Sequence, residues 1–176
     1  MKTYFHIILA FVLLLGLSSQ TNAQKVAYVD SEYILGQMSE YKAAQEELDR
    51  VSAQWQKEIE TKYGEIEKLK TAYQAEQIIL TDEMKKKREQ EISQREQEVK
   101  ELQKEKFGVG GELFRKRQEL IKPIQDKVYA AIKSVAEKKS YAIIFDKSSD
   151  LTLLYTNSKY DISDDVLDLI NTGGKK

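Results

Sequence analysis

The sequence predicts an α+β protein in which a small β-containing body carries a long antiparallel helical hairpin. Two short apolar runs rich in β-branched and aromatic residues, Lys25–Asp30 and Tyr141–Phe145, lie near opposite ends of the chain and read as strands. Between them one narrow apolar stripe recurs at helical spacing. From Lys42 to Lys106, 30 of 65 residues are charged, with no proline and a single glycine, Gly64. A stripe so thin cannot enclose a globular core, so these helices must stand in solvent and pair lengthwise.

The chain opens with Lys2, then eleven uncharged residues from Ile7 to Leu17, then small and polar residues through Thr21 and Ala23. This is the layout of a secretory signal peptide cut after Ala23, residues 1–23. The apolar run is shorter than the roughly 18 to 20 residues that span a bilayer. Cleavage would leave 153 of the 176 residues and remove Lys2 and His6. The remaining chain would carry 27 basic against 29 acidic residues, a net charge of −2, and no histidine.

After the first strand, Ser31 stands where a helix N-cap belongs, with Glu32 in the first turn. Ile34, Met38, Tyr41, Ala44, Leu48, Val51, Trp55, Ile59, Tyr63, Ile66, Leu69 and Tyr73 follow at steps of three or four. One helix from Ser31 to Ile79 would be roughly 73 Å long at about 1.5 Å per residue. Ile78, Ile79 and Leu80 break the stripe, and Thr81 can cap a second helix starting Asp82, Glu83. A tight hairpin with its tip at 78–82 is the reading. Pairs four apart, such as Glu46 with Arg50, Glu91 with Arg95 and Glu96 with Lys100, support exposed helix.

The return helix offers few apolar positions, namely Met84, Ile92, Val99 and Leu102, and is interrupted at Phe107–Gly111 by Gly108, Gly110 and Gly111. Helix resumes through Leu113, Leu120, Ile124, Val128, Ala131 and Val135, with Pro123 expected to kink it. Beyond Tyr141–Phe145, residues Ser148–Asp150 read as a turn and Leu151–Asn157 as a further strand. A last helix carries Ile162, Val166, Leu167 and Ile170, capped by Asp161 or Ser163 and ended by Gly173 and Gly174. The expected partition is a body of residues 24–40 and 124–176 and an arm of residues 41–123. Three strands cannot bury both faces alone, so self-association is expected.

The same composition narrows the function. No cysteine, and no histidine once the signal is removed, eliminates serine triads that use histidine, zinc sites of the usual kind and thiol nucleophiles. Carboxylate pairs remain, but among 29 acids some pair always looks suggestive. No enzyme and no cofactor is expected. Balanced charge speaks against a nucleic-acid binder. Asp146–Asp150 and Asp161–Asp165 miss the spacing of a calcium loop and read as turn and cap residues, so no metal is expected.

The order of signal peptide, strand Lys25–Asp30, charged hairpin, apolar strand Tyr141–Asp146, further strand and acid-capped helix resembles the Skp (OmpH-like) family of periplasmic chaperones. The likeness covers the whole mature chain and is most specific in the opening strand, in Lys127–Phe145 and in Tyr160–Leu167. It implies a homotrimer: three bodies join as a β-barrel-like hub, and three arms surround a cavity. It also implies a periplasmic holdase that keeps unfolded outer-membrane β-barrel proteins from aggregating, without ATP. Family members are often strongly basic, whereas this chain is slightly acidic.

On that reading Val26, Tyr28, Ile143, Ile144, Phe145 and Leu153 belong to the trimerisation body. Trp55, Tyr63, Tyr73, Ile78, Ile79, Leu80 and Met84 are the candidate client contacts, since apolar burial is non-directional and suits a site without a fixed pocket. For Trp55 and the tyrosines, packing within the hairpin seam is the preferred account, because they lie on the periodic stripe. Gly108, Gly110 and Gly111 are a candidate hinge. Lys85, Lys86, Lys87 and Arg88 are a candidate contact for a membrane surface or lipopolysaccharide, but Asp82, Glu83, Glu89 and Glu91 offset them, and a solvated helix face is preferred. The rival reading is a structural coiled-coil spacer of the cell envelope.

Overall fold

Two strands from opposite ends of the chain pair side by side in the same direction. In the computed structural model, which describes residues 24–149 and 153–173, β1 (Lys25–Val29) runs parallel to β2 (Tyr141–Asp146). The signal-peptide reading of residues 1–23 lies outside the described residues. Val26 registers with Ile143, Ala27 with Ile144 and Tyr28 with Phe145. Parallel strands require a long crossover, and here the entire helical hairpin is that crossover. Alternation directs Ala27, Val29 and Ile144 into the core and leaves Val26, Ile143 and Phe145 exposed on the other face.

Asp30, still extended at φ −111°, caps α1 (Ser31–Gln37) by accepting from the Tyr33 N–H at 2.9 Å. The cap is thus one residue earlier than expected. Ser31 is already helical, and its N–H and hydroxyl donate instead to the Asp146 carboxylate at 3.1 and 2.6 Å, tying the helix start to the end of β2. Helix also stops sooner than the stripe suggests. Gly36 weakens the last turn, and buried Met38 adopts an extended ψ of 121° that separates α1 from α2 (Ser39–Glu76). The expected single helix to Ile79 is therefore two, the longer of 38 residues and about 57 Å.

Residues 77–80 form the turn, and Thr81 caps α3 (Asp82–Phe107) through the Met84 N–H at 3.3 Å. A tight glycine turn at 108–111 leads into α4 (Glu112–Lys139), which continues through Pro123 as one helix. Ser140 closes α4 in the left-handed region, with φ 57°, and delivers the chain to β2. Ion pairing partly follows the expected spacing: Glu91 and Arg95 approach to 3.8 Å, whereas Arg50 turns to Glu47 at 2.7 Å and Glu96 bridges across the hairpin to Lys70 at 2.9 Å.

The expected strand over Leu151–Asn157 does not form in its described part. Residues 153–157 carry no strand, Leu153 is half-buried, and Leu154 and Tyr155 point into solvent. A strand added at the free edge of a two-stranded sheet would have no second layer to cover it within one chain. A short 3-10 turn, Ser158–Tyr160, follows and was not expected. The N-cap of α5 (Ser163–Asn171) is Ile162, without a side-chain cap bond, and not Asp161 or Ser163 as expected; Asp161 just before it accepts from the Ser163 N–H at 2.9 Å, and the buried Ser163 hydroxyl accepts from the Asp30 N–H at 2.9 Å. Gly173 ends the helix at φ +67°.

Among the described residues, the buried apolar side chains form two clusters. The larger joins Ala27, Val29, Ile34 and Met38 to Ile124, Val128, Ala131, Val135, Ile162 and Val166, and extends into the hairpin through Ala44, Leu48 and Ile121. The smaller is confined to the hairpin and has only four buried members, Ile59, Ile66, Ile92 and Val99. The long seam therefore rests on a few isoleucine and valine layers. Among the described residues no helix is long and apolar enough to cross a membrane.

Candidate interaction surfaces

Four places hold the residues singled out from the sequence. The first is the distal turn, where capping by Thr81 fixes the chain reversal and leaves the preceding residues without a neighbouring layer. Ile78 is 94% and Ile79 82% exposed, Met84 is more than half exposed, and Leu80 is partly covered. An apolar pair so open contributes nothing to folding by burial and is free to bury against another molecule. Two of the four members of the basic run beside it are ion-paired: Lys85 lies 3.8 Å from Asp82, and Arg88 lies 3.7 Å from Glu76 and 3.5 Å from Glu91.

The second is the hairpin seam. Tyr73 packs against the small cluster and donates its hydroxyl to Glu89, a bond that raises the phenol's pKa. Tyr63 lies more open, with its hydroxyl 3.4 Å from Gln103 of the facing helix. Both tyrosines thus hold α2 to α3, in keeping with their place on the stripe. Beside the seam, Ile66, Val99 and Leu102 floor an open groove of about 300 Å³ flanked by Glu58, Glu65 and Glu98.

The third is the glycine turn. A Cβ on Gly108 would lie 2.3 Å from the Lys104 carbonyl oxygen, one on Gly111 would lie 2.6 Å from that of Glu105, and Gly110 has φ +71°. Gly108 and Gly111 are needed for close approach and Gly110 for its left-handed backbone. The turn is well bonded: the Gly108 N–H donates to Lys104, the Gly111 N–H to Gly108, and the Arg115 guanidinium to the Gly110 carbonyl. Trp55, on the unbroken α2, faces this turn. Phe107 packs perpendicular to it with centroids 6.2 Å apart, and the Lys106 ammonium sits 5.2 Å from the centre of the Trp55 ring. Lys106 also pairs with Glu112, across the turn, at 2.7 Å. Their hydrogen bond raises the lysine's pKa and holds the Glu112 carboxyl below its ordinary range.

The sequence treated Trp55 and the glycines as separate features, and the structure brings them together. Lys106 and Glu112 were missed because no helical spacing rule links residues on either side of a break. The fourth place is the outer sheet face. Val26, Ile143 and Phe145 are exposed there beside the buried Tyr28, while Ile144 packs inward against the core and Leu153 is half-buried beyond the sheet. A β1 backbone edge is used by the Ile162 N–H, which donates to the Tyr28 carbonyl at 3.0 Å.

Residues 25–170 match the family model described as outer membrane protein (OmpH-like). An uncharacterised protein of Aquifex aeolicus is 35% identical over 141 residues, covering 80% of this chain and 82% of that one. Among solved structures, an OmpH-like protein of Caulobacter crescentus CB15, proposed as an outer membrane chaperone, shares the fold. Its TM-score is 0.70 at 14% identity, covering 89% of this chain and 92% of that one.

Proposed function

From the premise that the chain belongs to the OmpH-like family, we propose that it is an ATP-independent holdase chaperone of the periplasm. It binds unfolded outer-membrane β-barrel proteins and prevents their aggregation in transit. One observation carries the reading: an open apolar pair, Ile78 and Ile79, at the end of an arm held together by a four-residue cluster of its own. Such an arm offers apolar contact without a pocket, as weak binding at many points requires.

The body, residues 24–40 and 124–176, is the trimerisation unit, and residues 41–123 are the arm. The exposed apolar face of Val26, Ile143 and Phe145 supports assembly, because a two-stranded sheet in one copy leaves it uncovered. Export by a cleaved signal peptide places the protein in the periplasm. The test dilutes an outer-membrane β-barrel protein from urea into buffer with and without this protein at trimer stoichiometry, with mass in solution measured alongside. Suppressed light scattering by a species of three-chain mass is expected. A trimer that leaves aggregation unchanged is a spacer, and the holdase reading is then wrong.

A further inference from the structure

We propose that Lys106, Glu112 and Trp55 form a latch across the glycine turn, which holds α3 and α4 at one angle until the ion pair is released. The two legs of the arm are unequal. The outgoing leg is the continuous α2, and the return leg is broken at 108–111 into α3 and α4. A continuous helix bends only gently, so any sharper change of arm shape must be taken up where the return leg is jointed. The sequence alone suggests a slack hinge there. The structure shows a joint that is bonded shut.

Each half of the return leg contributes one charge to the closure. Lys106 is in the last turn of α3 and Glu112 is the first residue of α4, so their 2.7 Å contact bridges the two helices across the turn. The lysine side chain is 15% exposed, less than any other ion-paired lysine among the described residues, and Glu112 is 32% exposed. Cover of this kind weakens screening by water and salt relative to an open surface pair. Trp55 supplies the platform: the Lys106 ammonium sits over its ring, Phe107 packs perpendicular to it, and it stands on the leg that does not break. Glu105, at 3.6 Å, lies on the same helix as Lys106 and contributes nothing to the angle. In use, the latch sets how far the arm opens around a client. That use rests on the proposed chaperone function, but the joint itself can be read with no client present.

The chain has no cysteine and one tryptophan, which gives two clean readouts. Spin labels on Gln97→Cys in α3 and Gln125→Cys in α4, in protein diluted with unlabelled chains, report the distance across the joint. Trp55 emission and its quenching by acrylamide report the platform. Glu112→Gln is expected to raise the population outside the main distance peak about five-fold, the upper range for a partly exposed ion pair, and to increase Trp55 quenching. Lys106→Arg, which keeps a cation for Glu112 and for the Trp55 face, is expected to keep the narrow peak. Should Glu112→Gln lose helicity by circular dichroism, Lys106→Met, which keeps an apolar stem on Trp55, takes its place. A distance distribution unchanged by Glu112→Gln and by Lys106→Met, or one broadened equally by Lys106→Arg, overturns the latch.

Discussion

Replacing Ile78 and Ile79 together by serine separates the arm's two tasks, standing up and gripping. Ile78 and Ile79 are 94% and 82% exposed, so the folded chain loses almost no burial, and a stability change within about 0.5 kcal/mol is expected. Binding loses more. Fully burying an isoleucine is worth about 1.5 to 3 kcal/mol, and a loosely held client covers about half of each side chain. Two isoleucines then contribute roughly 2 kcal/mol per arm, or about 30-fold in Kd, as an upper figure because immobilisation offsets part of it. The assay is the protein concentration that halves light scattering of a urea-diluted β-barrel protein, with Tm measured on the same samples. An unchanged half-suppression concentration with an unchanged Tm removes the tip from the mechanism. A fallen Tm means that these residues hold the fold, and the burial argument fails.

Three further outcomes follow from the packing. Ile66→Ala empties the best-covered position of the four-residue cluster and should cost about 3 kcal/mol locally; hydrogen exchange should speed up in α2 and α3 near it while body amides keep their protection, and uniform acceleration would contradict two separate clusters. Gly64→Ala, mid-helix with nothing within 4 Å of the new methyl, should raise Tm by the equivalent of about 0.5 to 1 kcal/mol, whereas Gly110→Ala, at φ +71°, should lower it by about 1 kcal/mol or more; like signs would disprove the backbone argument. Burial alone pushes the Asp146 carboxyl up, but hydrogen bonds from Ser31 and Ser148 outweigh it and leave its pKa below the ordinary value. That stabilisation is present above the unfolded carboxyl pKa of about 3.9 and is lost as pH falls through the lower folded value. The Tm gap between parent and Asp146→Asn should therefore be wide at neutral pH and close in acid; a constant gap would show that the carboxylate's charge is irrelevant.

The hairpin was legible because its signals are local. Thr81 with Asp82 and Glu83 marks a helix start by capping alone, and the stripe through Ala44, Leu48, Ile59 and Ile66 fixes the buried side. What escaped depends on distant partners. The cap is Asp30, and Ser31, already helical, is tied through its N–H and hydroxyl to Asp146, far along the chain. The break at Met38 needs a core to receive that side chain, and no period-counting rule supplies one. Residues 153–157 have strand-like composition but lack a covering layer, so propensity gave way to context. At the elbow, Trp55 was visible as a stripe residue, yet its partners lie on a different helix and on both sides of a turn.

The crossover between β1 and β2 also sets an order of events. The first strand leaves the ribosome early, and its partner, opening at Tyr141, arrives only after the whole intervening loop has been made. Bringing such remote segments together carries a large closure entropy unless the span between them has already doubled back. Zipping of the two helical legs from Thr81 inward delivers both ends to the same place. The body is thus begun first and completed last, and until then the apolar β1 is an unpaired edge in need of shelter.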